Sequence, residues 1–318
     1  MLVLRDDFSS FEGESVLTIG SFDGVHLGHQ ALIEPVRRRA ADLGAVPALL
    51  TFDPHPAAVL SPRGQPPLLT PLPHKLRLLD ELGIELVALI TFTRETAATR
   101  AVDFLRLLHT TLRIRELWVG PDFALGHKRE GNLAYLQRWG HEHGVAVTAV
   151  EPVRIGGEVV SSSRIRARLQ AGDVEGATQL LGRPPTVGGV VAQGDQRGRQ
   201  IGFPTANVVP DPTVALPANG VYVTLAEVRG ERHPAVTNVG VRPTFGGARQ
   251  LVETYLLDWQ GDLYGHELAA HFLHRLRPEM KFDGIAALVA QIQADAEAAR
   301  AWWAHAGRPA QMPRDSRT

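Results

Sequence analysis

The hydrophobic period of the chain changes once, after about Gly172, and that change limits the fold more than any motif does. Before it, apolar runs of strand length alternate with stretches of helical period. The run Ser15–Ile19 ends at the turn Gly20-Ser21-Phe22-Asp23-Gly24, and a helix pattern over 27–41 puts Leu32, Ile33 and Val36 on one side. Residues 46–52, 86–92 and 116–120 read as further buried strands, with helical stretches at 72–82 and 99–108 between them. Strand, helix, strand in this rhythm predicts an α/β unit: a doubly wound parallel sheet with helices on both faces and ligands at the carboxyl ends of its strands. Helical turns over 174–181 then lead into Gly182-Arg183-Pro184-Pro185, a hinge composition. Beyond it, VGGVVAQG, GVYVTLAEV, HPAVTNVG, LVETYLLDW and HELAAHFLHRLR are short alternating runs broken by Gly and Pro, which predicts an antiparallel barrel or sandwich. A last helix over 285–304, apolar at Ile285, Leu288, Val289, Ile292 and Ala296, is expected to cover it. A length of 318 residues suits two such domains. The boundary is expected at 182/183, the second domain running to 306 and a Pro-, Arg- and Ser-rich tail, 307–318, being disordered.

Composition narrows the chemistry. Lys and Arg number 33 against 34 Asp and Glu, so no global field favours nucleic acid or an anionic membrane as partner. No apolar run reaches the roughly 18 residues of a membrane helix, and MLVLRDDFSS lacks a signal-peptide layout, so a cytoplasmic location is expected. The absence of cysteine (Cys 0) removes disulfides, thiolate catalysis and Cys-ligated metals.

Two segments of the first half concentrate anion-binding groups. His26-Leu27-Gly28-His29 lies after a strand at a helix start, where imidazoles, free backbone N–H groups and the helix dipole converge. Gly28 would let a phosphate approach the backbone. Taken alone, the pair equally fits histidines that cap or pack, and zinc would lack a third ligand nearby. Ser161-Ser162-Ser163-Arg164-Ile165-Arg166 opens the helical stretch 165–171 with hydroxyls beside guanidinium groups, either a phosphate clamp or a capped helix with solvated arginines. No Walker-type P-loop is present.

TIGSFDGVHLGHQ (18–30), TFDPHP (51–56), VGPDFALGHKREGN (119–132) and VSSSRIR (160–166) together resemble the adenylyltransferase module of prokaryotic riboflavin kinase/FAD synthetases, which is similar to the wider HxGH nucleotidyltransferases. The resemblance implies attack of an FMN phosphate oxygen on the α-phosphorus of ATP, yielding FAD and pyrophosphate. It implies that His26 and His29 stabilise developing charge, that Ser162, Ser163 and Arg166 hold the β- and γ-phosphates, and that Asp122 contacts the reacting flavin phosphate, directly or through Mg²⁺. Gly20, Phe22 and Gly28 join the cofactor-binding set, and His55 with its flanking prolines borders the flavin. Ser163, Leu125 and Asp53 stand where the family usually has Thr, Phe and Glu.

In the second half, Gly194, Gly198 and Gly202 fall four apart and follow a strand with no helix pattern behind them, unlike a Rossmann fingerprint. They suit a glycine loop that brings amides to phosphate and orders on nucleotide binding, or an ordinary hairpin turn. Thr205 and Asn207 point to one side of an extended segment, where two neutral oxygens can hold Mg²⁺ already bridged by ATP. This stretch, with NGVY (219–222), NVGVRPT (238–244), VETY (252–255) and LRPEMKF (276–282), resembles the riboflavin kinase module of the same family. That implies a six-stranded barrel with a carboxy-terminal helix, Glu253 as the base that accepts the ribityl 5′-hydroxyl proton, and Arg277 against the flavin. Tyr255 replaces the usual His. The implied partners are ATP, riboflavin and FMN, with Mg²⁺ at both sites and FMN and FAD as products. His266 and His271 are five apart, not the spacing of a zincin, and are expected on a solvated strand; His141-Glu142-His143 is expected at an exposed helix end.

Overall fold

Continuous Val/Leu/Ile runs are stable as strands only where both sheet faces are covered, and the unit Met1–Ser162 is built that way. The computed structural model describes residues 1–193, 202–244 and 247–306. Gly194, Gly198 and the tail 307–318, for which expectations were stated, lie outside the described residues. In chain order the first unit holds β1 (Leu2–Arg5), β2 (Ser15–Ile19), α1 (Leu27–Leu43), β3 (Val46–Asp53), α2 (Pro56–Leu60), α3 (Leu72–Glu81), β4 (Leu86–Thr91), α4 (Arg94–Ala98), α5 (Ala101–Leu112) and β5 (Ile114–Val119). After these come β6 (Ala124–Leu125), β7 (Gly131–Asn132), α6 (Leu133–His143), β8 (Ala146–Ala149), β9 (Arg154–Ile155) and β10 (Glu158–Val159). The expected helix over 99–108 is α5, which starts two residues later because Thr99 and Arg100 are extended and which runs on to Leu112; the short α4 before it was not expected.

The main sheet is parallel, in the order β1-β4-β3-β2-β5-β8. From β2 the chain winds through β3 and β4 to one side, then returns to β5 and β8 on the other, so the winding reverses between β2 and β5. Alternation sends Leu17, Leu50 and Ala88 into one layer with Phe104, Leu105 and Leu108 of α5, while Leu49 and Val87 meet Ile33 of α1 and Leu79 of α3 in the other. The loops at the carboxyl ends of β2 and β5 therefore face each other across a gap that no crossover helix fills, the position where open α/β sheets hold ligands.

Ser162 begins α7 (Ser162–Gln170), and the unit Ser163–Thr318 continues with α8 (Val174–Leu181), β11 (Thr186–Ala192), β12 (Ala206–Pro210), β13 (Gly220–Val228), β14 (Glu231–Thr244), β15 (Gly247–Leu256), β16 (Glu267–Arg277) and α9 (Ile285–Ala306). The six strands close as an antiparallel barrel, β11-β12-β15-β14-β13-β16. Inside it, Thr237 bonds Thr224 at 2.8 Å and Thr254 at 3.0 Å, so three buried hydroxyls satisfy one another. Outside, Val221, Val223 and Val236 pack against Ala296 and Ala299 of α9.

His141-Glu142-His143 is exposed at the end of α6, as expected. His271 is not on a solvated face. It is 7% exposed, its Nδ1 lies 2.9 Å from Thr186 Oγ1, and its Nε2 lies 3.4 Å from Glu227 Oε2. The alternation of HELAAH carried no sign of the half-buried Glu227 carboxylate that draws it in. Arg232 Nε donates to the same carboxylate oxygen at 2.9 Å. His271 first, then Arg232, hold the Glu227 carboxyl at about 2 instead of 4.5. A depressed carboxylate stabilises the fold fully above pH 4.5, and that contribution is lost as pH falls toward about 2. Calorimetry is expected to show Glu227→Gln melting lower at neutral pH and losing less stability than the parent between pH 4.5 and 2; identical acid limbs would refute the assignment.

Candidate active sites

The turn between β2 and α1 is conformationally costly. Phe22 and Val25 take φ of 48° and 41°, a region that L-residues other than Asn, Asp and His rarely enter, and Gly24 takes 92°. Two such residues cost about 1–3 kcal/mol each, so the turn is held from outside. The Asp23 carboxylate, 1% exposed, accepts the N–H groups of Leu69 (2.9 Å) and Thr70 (3.1 Å), and Thr70 Oγ1 accepts the Gly24 N–H at 2.9 Å. The Ser21 carbonyl accepts Lys75 Nζ of α3 at 2.8 Å and Thr51 Oγ1 of β3 at 3.1 Å. Ser162 Oγ donates to the Asp23 carbonyl at 2.8 Å.

That turn delivers the two histidines. His26 is the N-cap of α1, its Nδ1 accepting the His29 N–H at 3.3 Å. The rings stack with centroids 3.6 Å apart and planes 13° from parallel, and Phe22 lies 4.9 Å from the His29 ring. Capping and a shared orientation thus coexist: both imidazoles line one cleft. Gly28 is needed for room, because a Cβ there would lie 3.2 Å from two atoms of the His26 ring. A Cβ on Gly20 would meet the Phe22 ring at 3.1 Å.

The cleft holds about 1090 Å³ at the carboxyl ends of β2, β3, β4 and β5, with His55, Phe92, Arg94, Asp122 and Lys128 among its walls. His55 caps the short α2 through Nδ1, which accepts the Ala57 N–H at 3.1 Å. Asp122 is exposed, and its carbonyl takes Arg129 Nη2 at 2.8 Å, tying the β5 end to the turn before β7. Ser163 is exposed on the first turn of α7, with Arg166 half-buried one turn on. Sequence reading singled out the histidines but missed Asp23, Thr70 and Lys75. For Lys75 a signal existed: it stands three and four residues before Leu78 and Leu79 on the buried stripe of α3.

In the barrel, strand register assembles the second site. Glu253 of β15 stands directly opposite Asn207 of β12 on one side and Asn238 of β14 on the other. All three are half-buried while their chain neighbours, Ala206, Val208, Thr237, Val239, Val252 and Thr254, are buried, so one polar row crosses the outer barrel face. Thr205 is half-buried just before β12, and Gly202, at φ 88°, is exposed. Asn238 was quoted only within a motif; its place beside Glu253 depends on pairing that no sequence pattern displays. Arg277 is engaged elsewhere: Nε and Nη2 donate to the Asp295 carboxylate of α9 at 2.9 and 2.7 Å. Glu279 accepts Asn219 Nδ2 at 2.9 Å.

A parallel sheet that presents paired imidazoles at a helix start, in one chain with a barrel that sets a carboxylate between two amides, defines a two-part transferase acting on phosphorylated substrates. Residues 9–164 match the FAD synthetase family and residues 181–303 the riboflavin kinase family. The bifunctional riboflavin kinase/FMN adenylyltransferase of Listeria monocytogenes is 37% identical over 91% of this chain and 92% of its own length. That of Escherichia coli K12 is 39% identical over 90% and 91%. A crystal structure named macrolide-efflux protein, from Streptococcus pneumoniae, superposes with a TM-score of 0.87 at 30% identity, over 95% of this chain and 100% of that one. The efflux name belongs to that protein; among the described residues no helix is long and apolar enough to cross a membrane. The chain belongs to the bifunctional riboflavin kinase/FMN adenylyltransferase family. It is an enzyme of two activities, phosphorylation of riboflavin to FMN and adenylylation of FMN to FAD.

Gly28 allows activity and stability to be separated. Alanine in a helix is favoured over glycine by about 0.5–1 kcal/mol, so Gly28→Ala is expected to leave the melting temperature unchanged or higher. Displacing the stacked His26 ring is expected to cut FAD formation at least about tenfold, a loss of the size expected for misplaced catalytic groups. Full activity in a steady-state FMN-to-FAD assay would refute this account of the glycine.

Proposed function

We propose that the two activities lie on separate sets of residues, adenylylation on the parallel-sheet half, 1–182, and phosphorylation on the barrel half, 183–306. In the first half, an FMN phosphate oxygen attacks the α-phosphorus of ATP, the bond to the bridging oxygen breaks, and pyrophosphate leaves. His26 and His29 stabilise the charge that develops on the phosphates, and Ser162, Ser163 and Arg166 bind the departing β- and γ-groups. Gly20, Phe22 and Gly28 shape the nucleotide side of the cleft. Asp122 contacts the flavin phosphate, and His55 borders the ring. Positioning and electrostatics carry such a transfer, since it asks little covalent chemistry of the protein. The observation that carries this reading is the stacked His26–His29 pair, held at a helix N-terminus where the sheet winding reverses.

In the second half, Glu253 accepts the proton of the ribityl 5′-hydroxyl as its oxygen attacks the γ-phosphorus and ADP leaves. Mg²⁺ fits beside this row by donor chemistry: the Thr205 hydroxyl and the Asn207 amide oxygen are hard, neutral oxygens that would hold it. When bound, Mg²⁺ neutralises phosphate charge. The Gly194, Gly198 and Gly202 loop contributes backbone amides to the nucleotide. Arg277 contacts the bound flavin or closes the site over it. ATP, riboflavin and FMN are the partners, nucleic acid is not one, and the location is cytoplasmic.

Single-step assays on the full chain test the division. His29→Ala is expected to lose FAD formation and retain riboflavin phosphorylation, Glu253→Ala to do the reverse, and excess EDTA to stop both. Retained phosphorylation in Glu253→Ala would remove Glu253 as the base, and loss of both activities in either variant would overturn the separation.

A further inference from the structure

Lys75 places a charge where the core calls for hydrocarbon. It shares the buried stripe of α3 with Leu78 and Leu79 and is 6% exposed. Burial holds its pKa below that of an ordinary lysine, against the opposing pull of Asp23 and Asp53. Taking an ammonium out of water costs several kcal/mol, and a methionine would occupy similar space without that cost. Among the described residues its Nζ makes one hydrogen bond, 2.8 Å to the Ser21 carbonyl. Thr51 Oγ1 takes the same oxygen at 3.1 Å, so both lone pairs are occupied and the Ser21–Phe22 peptide plane is fixed. Across a planar trans peptide the N–H points opposite to the carbonyl, so the Phe22 N–H is turned away from Lys75. Phe22 itself sits at φ 48°, packed 4.9 Å from the His29 ring.

We propose that Lys75 is a positioning residue for adenylylation: its ammonium locks the Ser21–Phe22 peptide and thereby keeps Phe22 and the His26–His29 stack aimed into the cleft. Lys75 does not line the cleft, so it acts through the turn and not on substrate. Without it one of the two hydrogen bonds to the half-buried Ser21 carbonyl is lost, and the peptide is free to rotate out of its strained setting.

The inference rests on the assignment of adenylylation to this half, so the test carries His29→Ala alongside. In the full chain, Lys75→Met is expected to lower kcat for FAD formation at least tenfold, with the KM for FMN within twofold of the parent and riboflavin phosphorylation unchanged. Lys75→Arg, which keeps a cationic donor, is expected to recover at least a third of the lost kcat. Parental kcat in Lys75→Met beside an inactive His29→Ala overturns the role of Lys75 alone; FAD formation that survives in both variants overturns the assignment and the inference with it. A KM for FMN that rises with the fall in kcat, or an arginine variant no better than methionine, would also overturn it, since a general packing role predicts both.

Discussion

The buried Asp23 carboxylate is the interaction on which the parallel-sheet half depends. It accepts two backbone N–H groups from the segment before α3, and so fastens a turn whose Phe22 and Val25 conformations are unfavourable on their own. Remove that fastening and the residues on either side relax toward ordinary φ, carrying the start of α1 with them. The stacked imidazoles, the glycine that makes room for one of them, and the Phe22 ring against the other all follow from where α1 begins. Strain at Phe22 and Val25 is balanced by bonds from β3, α3 and Ser162, which is why the histidine motif and its supports lie far apart in the chain.

The barrel reaches a comparable result through strand register. Antiparallel register fixes which residues stand opposite one another, and closure leaves no free edge along which a strand could slip. Asn207, Glu253 and Asn238 fall into one row because Thr237 and Thr254, one residue away, point inward and bond each other. A slip of one residue would send the polar row into the core and the hydroxyls outside. The interior hydroxyl chain is therefore part of what places the carboxylate.

How far the sequence was legible follows from this contrast. Local patterns were sufficient where the physics is local: the buried strands, the histidine-bearing helix start, the serine- and arginine-bearing start of α7, and the alternating runs of the barrel. The short α4 was missed because its five residues, Arg94–Ala98, are too few to show a helical period, and their capping by Thr93 shows only in the folded chain. Supports that act across many positions were not visible. Asp23 to Thr70, Lys75 to Ser21 and Arg277 to Asp295 join residues whose partners only the folded chain identifies. His271 went astray for the same reason, since alternation marks it as outward but says nothing of Glu227 waiting beside it. Lys75 alone left a trace, a cation on an apolar stripe.

A net charge of −1 gives the molecule no long-range attraction for ATP, so each half must create positive potential locally. The two differ in what they bring to it. The sheet half has a helix N-terminus with imidazoles at its mouth, and Arg94 and Lys128 line the same cleft. The barrel row sets neutral amides on either side of one carboxylate and by itself supplies no positive potential.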